Sequence, residues 1–363
     1  MAIRLLLLAD INSEHTQKWA TGLARNGYAI GIFSFTAPRT NWYQVHGIEC
    51  LHLPTATSTV KRLWAKIGYL RFLPKLKETI QSFDPHILHA HYASSYGMLG
   101  ALSGFHPFII SVWGTDVMKF PYQHPLARRL ITYNLKKADA VCATSHTLEK
   151  YILRLIHKPV EVIPFGVDLE EFNPKPSLKA DNTFTIGCVK SLEKNYNIAS
   201  VILSFAKLKE RYPCKKLKLV LVGEGDEKPS LEKLVADLNV SADVVFEGKL
   251  PHELVAAKLN ELDVFVNISE YESFGVSVVE AMACSVPVVV SEAEGLQEVV
   301  AGQQNGSIVP GHNIEAIVAA LERLMLNDAL RQAIGINALE RVRDNYNWRN
   351  NLNEMIRVYN SLL

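Results

Sequence analysis

The chain has 363 residues, 48% hydrophobic and 21% charged, which suits a globular protein of two ordinary domains. Thirty-eight basic side chains stand against thirty-seven acidic ones, and the resulting formal charge of +1 argues against a general nucleic-acid binder. Five cysteines (Cys50, Cys142, Cys188, Cys214, Cys284) show no C-x-x-C spacing and are expected as buried free thiols of a reducing compartment. The opening run IRLLLLAD is too short to span a bilayer and lacks a cleavage region, so a buried first strand and a cytoplasmic location are expected.

Apolar strand-length runs alternate with amphipathic helix-length segments from end to end, the pattern of parallel sheets wrapped by helices. In the first half, strands are expected at 3–9, 29–35, 48–53, 87–91, 108–112, 140–143 and 160–163. Helices are expected between them at 14–26, 60–82, 95–104, 125–138 and 146–157. Two prolines and a lack of periodicity make 174–182 a linker. The alternation then restarts, with strands at 183–189, 218–223, 244–247, 264–267 and 287–290. Helices follow at 198–211, 228–238, 251–259, 275–284, 314–326, 329–346 and 348–363. The expected fold is therefore α/β: two facing, doubly wound Rossmann-like domains, 1–173 and 183–346, with a last helix from 347 on. A ligand would lie where the carboxyl ends of the two sheets meet.

The stretch NISEYESFGVSVVEAMACSVPVVVS, 267–291, reads as a strand end, a polar loop, a short helix and an apolar strand. The N–H groups of Phe274, Gly275 and Val276 would open the helix and suit a phosphate. Glu272 in the loop and Glu280 eight residues later would repel a phosphate unless they meet hydroxyls, which a sugar and a ribose supply. The alternative is that both are solvated helix-start residues stabilised by the dipole. His89 and His91 alternate on one strand face, a metal half-site without a visible third ligand. Gly223 and Gly225 permit close backbone approach at a strand-to-helix turn, but a third glycine is missing, which excludes a nicotinamide fingerprint. The segment 59–78 interleaves six basic residues with Trp64, Tyr69 and Phe72 and reads either as a helix resting on an anionic membrane or as an ordinary surface helix.

ESFGVSVVEAMACSVPVVVS (272–291) resembles the E-x7-E signature of the retaining glycosyltransferases of family four, which have the GT-B fold. VIPFGVDLEEFNP (162–174), LVGEGDEKPSLEKL (221–234) and DPHILHAHYASSYG (84–97) resemble that family's domain-closing segment, donor-domain glycine turn and acceptor-domain mid-strand, in the family's order. The resemblance implies a retaining transferase that moves a sugar from a nucleotide-diphosphate donor to a glycan or lipid-linked acceptor, with no cofactor and no metal. It also implies the last helix crossing back to the first domain. Carried over residue by residue, it makes Glu272, Lys190, Lys194, Asp116 and His91 catalytic candidates. Donor binding falls to Glu280, Ser273, Phe274, Gly275, Val276, Gly223, Gly225, Lys249, Leu250, Glu298, Asn12 and Ser13, and acceptor binding to His15 and Trp113.

Three positions depart from the family pattern. Asn12-Ser13 stands where relatives often carry two glycines, Lys190-Ser191 where they carry glycine–arginine, and Trp113 where many carry a histidine. Trp113 would stack on a sugar ring with Asp116 as its polar partner, and Ser13 or Asn12 would cap the first helix. The competing readings are a nucleotide-sugar epimerase of the same fold and a non-catalytic partner that keeps it.

Overall fold

The structure is a computed structural model describing residues 2–52, 68–175 and 182–363. The chain divides into two compact units, Met1–Phe165 with Asn350–Leu363, and Gly166–Arg349. Among the described residues the first unit holds seven strands: β1 Arg4–Leu8, β2 Ala29–Ser34, β3 Glu49–His52, β4 Ile87–His91, β5 Phe108–Val112, β6 Ala140–Ala143 and β7 Glu161–Val162. The second holds six: β8 Phe184–Val189, β9 Leu217–Val222, β10 Val244–Gly248, β11 Val264–Asn267, β12 Val288–Ser291 and β13 Ser307–Val309. Every pairing is parallel. Leu5 to Leu8 of β1 and Val288 to Val290 of β12 are wholly buried. Helices cover both faces of such sheets, so the strands read as continuous apolar runs without alternation.

The two sheets repeat one winding. Their orders are β3-β2-β1-β4-β5-β6-β7 and β10-β9-β8-β11-β12-β13. Each starts at a central strand, winds to one edge, and returns to continue on the other side, as right-handed crossovers require. The connections leave β1 and β4, and likewise β8 and β11, in opposite directions. That opens a crevice at the carboxyl ends of each pair, where open α/β sheets bind ligands.

Local chemistry sets the helix ends. Glu14 and Arg25 sit in the first and last turns of the Glu14–Arg25 helix, each complementing the dipole. Pro125 opens the Pro125–Lys137 helix, where His124 accepts from the Leu126 N–H and Lys136 and Lys137 close the last turn. The expected helix 60–82 is corrected over its described part. Residues Gly68–Phe72 form a 3-10 turn, and an α-helix starts only at Leu73 with Pro74 in its first turn. Tyr69 stacks on Phe35 at 4.3 Å and Phe72 is buried, so these two aromatics face the core. The rest of that segment, and residues 176–181 of the expected linker, lie outside the described residues.

Several short elements escaped the periodicity reading: the helices Thr115–Met118, Phe120–Gln123 and Glu294–Val300, and the strand β13. Among the cysteines, Cys142, Cys188 and Cys284 are buried free thiols; Cys50 and Cys214 depart from the expectation, the first half-buried and the second exposed. The Trp348–Leu362 helix closes the chain, and its residues from Asn350 on belong to the first unit. Leu352, Met355, Val358 and Tyr359 form its buried stripe, and Asn351 donates to the Pro164 carbonyl at 3.0 Å. No described helix is long and apolar enough to cross a membrane.

Candidate active site

In the second unit the crevice between β8 and β11 is built around one ion pair. Lys190 follows β8, Glu272 lies in the loop after β11, and Val264 and Phe265 of β11 pair with Ile186 and Gly187 of β8. Lys190 Nζ donates to Glu272 Oε2 at 2.5 Å, and the two side chains are 15% and 14% exposed. The ammonium also lies 4.6 Å from the centre of the Tyr196 ring. Burial pulls the Lys190 pKa down, but the neighbouring Glu272 carboxylate outweighs it and holds the group above the ordinary lysine value.

Backbone bonds fix the loop that carries Lys190. Lys190 N–H donates to Val222, Leu192 N–H to Glu224, and Glu227 N–H to Leu192. A Cβ on Gly223 would lie 1.9 Å from the Lys190 carbonyl oxygen, and one on Gly225 would lie 2.3 Å from that of Leu192. The close approach these two glycines permit is therefore to the chain's own Lys190–Leu192 backbone.

The helix Val276–Ala283 begins after Gly275, which adopts φ +98°. A Cβ there would stand 2.6 Å from Leu296 Cδ2, so both conformation and space call for glycine. Phe274 is buried with its ring edge-on to Tyr346 and can offer a ligand only backbone. Gly295, which sequence reasoning passed over, packs its Cα against the Glu272–Phe274 backbone and donates its N–H to the Glu272 carbonyl at 3.1 Å. Ser273 and Val276 are half-buried at the same bend.

Glu280, one turn into that helix, is 7% exposed and already partnered. Its Oε1 lies 3.1 Å from His252 Nε2, while His252 Nδ1 lies 3.5 Å from Glu171 Oε1 and the ring packs on Phe172. His252 and Glu171 were missed; Glu171 stands inside VIPFGVDLEEFNP and His252 two residues after Leu250, but nothing local links either to Glu280. Lys194 is not brought to the ion pair: it is exposed on the 3-10 turn Lys194–Tyr196. Lys249 is exposed and Leu250 half-buried just past β10. Glu298 is half-buried, and its carbonyl accepts from Arg341 at 2.8 Å.

The first unit's crevice, between β1 and β4, is aromatic. His15 stacks on Phe165 at 3.9 Å and meets Trp113 edge-on at 5.7 Å; Trp113 in turn lies 4.4 Å from His91. Trp113 is only 8% exposed, so the expected open stacking platform is a packing residue beneath His15 and Tyr92. Tyr92 is 37% exposed and adopts φ +76°, a strained backbone for a large side chain.

Asp116 departs from its expected catalytic placement. It is buried, with Oδ2 accepting from Ala93 N–H at 2.8 Å and Oδ1 from Gly114 N–H at 2.9 Å, so both oxygens tie loops together. Asn12 is likewise spent on its own loop: its amide donates to Thr36 and Ala37, and its oxygen accepts from Arg39 N–H. Ser13 takes the N-cap position without a capping side-chain bond.

His89 is not a metal half-site, because Tyr359 and Ser111 engage its two ring nitrogens at 2.8 Å each. Burial lowers the His89 pKa to about 3. Burial also lowers that of His91, with His89 and His15 adding to the effect. Both rings are neutral at ordinary pH. Among the described residues no group of three or more histidine, cysteine or carboxylate side chains could hold a metal ion.

Two family models match the chain: glycosyl transferase 4-like over residues 4–145 and glycosyl transferases group 1 over residues 170–341. An uncharacterized glycosyltransferase of Methanocaldococcus jannaschii is 25% identical, over 95% of this chain and 93% of its own length. Among solved structures, sucrose-phosphate synthase from Thermosynechococcus elongatus superposes with a TM-score of 0.86 at 22% identity, covering 99% of both chains. HepE of Anabaena, in complex with UDP-glucose, gives 0.81 at 18% identity over 99% of this chain and 100% of its own.

Proposed function

We propose that this chain, which belongs to the family 4-like, group 1 glycosyltransferases of GT-B fold, moves a sugar from a nucleotide-diphosphate donor to an acceptor hydroxyl with retention and without a metal. The observation that carries the reading is the partly buried Lys190–Glu272 pair at the β8/β11 crevice, with Glu280 eight residues on in the adjoining helix. A diphosphate needs a cation and oriented N–H groups, which Lys190 and the start of the Val276–Ala283 helix supply. Sugar and ribose hydroxyls need acceptors, which Glu272 and Glu280 supply, with His252 holding Glu280.

In this reading the bond between the anomeric carbon and the diphosphate oxygen breaks, and the electron pair leaves with the diphosphate. The acceptor hydroxyl attacks the oxocarbenium-like carbon from the same face, and its proton passes to the departing diphosphate. Lys190 stabilises the charge that develops on the leaving group, so catalysis rests on positioning and electrostatics. On the acceptor side the rim of the aromatic cluster, half-buried His15 and exposed Tyr92, would meet a glycan or lipid-linked acceptor, as in polysaccharide or lipopolysaccharide assembly, at the cytoplasmic side of a cell.

The test has two parts. A thermal-shift panel of UDP, GDP, ADP and CDP, with and without a chelator, should show one diphosphate raising the melting temperature unaffected by the chelator, because a ligand of the native state stabilises by mass action. Proton NMR of the product formed with the matching donor should then show the donor's anomeric configuration. An inverted product, or a shift that needs a divalent cation, would overturn the mechanism.

A further inference from the structure

The near-neutral net charge conceals a division. The first unit carries nineteen basic and ten acidic side chains, a formal +9, whereas the second carries nineteen basic and twenty-seven acidic, a formal −8. Within the basic unit the Pro125–Lys137 helix, PLARRLITYNLKK, has four cations and no acid. Ala127, Ile131, Asn134 and Leu135 form its buried stripe and fix its rotation, so Arg128, Arg129, Lys136 and Lys137 are all turned outward.

None of these four has a carboxylate partner among the described residues. The nearby Asp139 and Glu149 are engaged with His106 and His146. Elsewhere surface cations are commonly paired within their own helix, as Lys75 is with Glu78 and Arg357 with Glu354. Apolar groups stand among the charges: Leu126 is 47% exposed, Tyr133 42% and the preceding Tyr122 50%. Between them lies a hollow of about 510 Å³ lined by Pro125, Arg128, Arg129, Thr132, Tyr133 and Lys136.

We propose that this face of the Pro125–Lys137 helix docks the protein on the anionic surface of a phospholipid membrane, with a lipid phosphate seated in the Arg128–Arg129–Lys136 hollow. Phosphate groups supply the missing counter-charges, and the long stems of the cations lie along the interface. Tyr122 and Tyr133 keep a polar tip at headgroup depth, and Leu126 gains only if it enters an apolar layer. Leu126 is what favours a membrane over a polynucleotide, whose backbone offers an exposed leucine nothing. The proposal rests on charge and exposure in the first unit and does not depend on the donor reading.

The full chain would be sedimented with phosphatidylcholine vesicles, with and without phosphatidylglycerol, at low and high salt. Binding is expected only with the anionic lipid and should fade at high salt. At about fivefold per charge, the variant Arg128→Gln, Arg129→Gln, Lys136→Gln, Lys137→Gln should lose more than about a hundredfold in partitioning. Its melting temperature and circular-dichroism spectrum without ligand should match those of the parent protein, which shows that folding is intact. Leu126→Ser should weaken binding further at constant charge. A control variant, Lys61→Gln, Arg62→Gln, Lys66→Gln, separates this face from the 59–78 segment. The proposal is overturned if the four-site variant binds as well as the parent, if only the control loses binding, or if the parent binds heparin or RNA but no anionic vesicle.

Discussion

The two crevices share a topology and differ in chemistry. Between β8 and β11 the charged groups are paired but redeployable: Lys190 faces Glu272, and Glu280 faces His252. Between β1 and β4 the charged and titratable groups are spent on the fold itself. Asp116 binds two backbone N–H groups, and His89 is locked between Tyr359 and Ser111. The first kind of crevice suits a charged ligand that can exchange partners with the pairs already there. The second suits a largely neutral ligand that meets ring faces and a rigid rim. In our reading, one winding has thus been equipped for a diphosphate at one site and for a sugar-bearing acceptor at the other.

The largest expected effect breaks the charged crevice. Replacing Glu272 or Lys190 alone by alanine leaves the other charge unpaired and largely shielded from water, and should cost about 2 kcal/mol of stability and abolish transfer. Replacing both, by Leu and Met, should restore most of the melting temperature and none of the activity. Restored activity would show that the pair is structural only.

The next effect sharpens the contrast at the neutral crevice. His89 has a pKa of about 3 in the fold against 6.5 in the unfolded chain. Between those values the unfolded chain binds a proton that the fold refuses. The stabilisation is therefore complete above pH 6.5 and is lost as the pH falls towards 3, by about 1.4 kcal/mol per pH unit for this residue. Urea titrations should show stability falling between pH 7 and pH 5, and a His89→Gln variant should be less stable at pH 7 with a flatter profile. A parallel profile would remove His89 as the cause.

The smallest effect concerns His252. Its substitution by alanine frees Glu280 from one partner and should weaken the preferred nucleotide about fivefold, roughly the worth of one hydrogen bond near 1 kcal/mol. Its melting temperature should stay nearly unchanged, because the imidazole is 38% exposed. Equal affinity in the parent and variant would confine His252 to packing on Phe172.

Much of this was legible in sequence for a definite reason. The strands are buried on both faces, so β4, β5, β6 and β11 stand where unbroken apolar runs place them. The amphipathic period runs through the 3-10 turn at Gly68–Phe72, so periodicity alone merged two elements, and Pro74, compatible with a helix start, was the overlooked signal. In the candidate site, the E-x7-E spacing pointed to Glu272 and Glu280, and Lys190 stood out as the cation directly after the second domain's first strand. His252 was not, because its partner lies twenty-eight residues away and only the fold joins them. Asp116 and Trp113 looked like ligand-facing groups because a sequence shows a side chain's chemistry and not how that chemistry is spent.

The most direct measurement is isothermal titration of the nucleoside diphosphate chosen by the thermal-shift panel into the parent protein and into Glu280→Ala. If Glu280 holds the ribose, the variant should bind at least about tenfold more weakly, since a charged hydrogen bond is worth about 1.5–3 kcal/mol. Its melting temperature without ligand should stay close to that of the parent. Equal affinities would contradict the assignment of the β8/β11 crevice as the donor site.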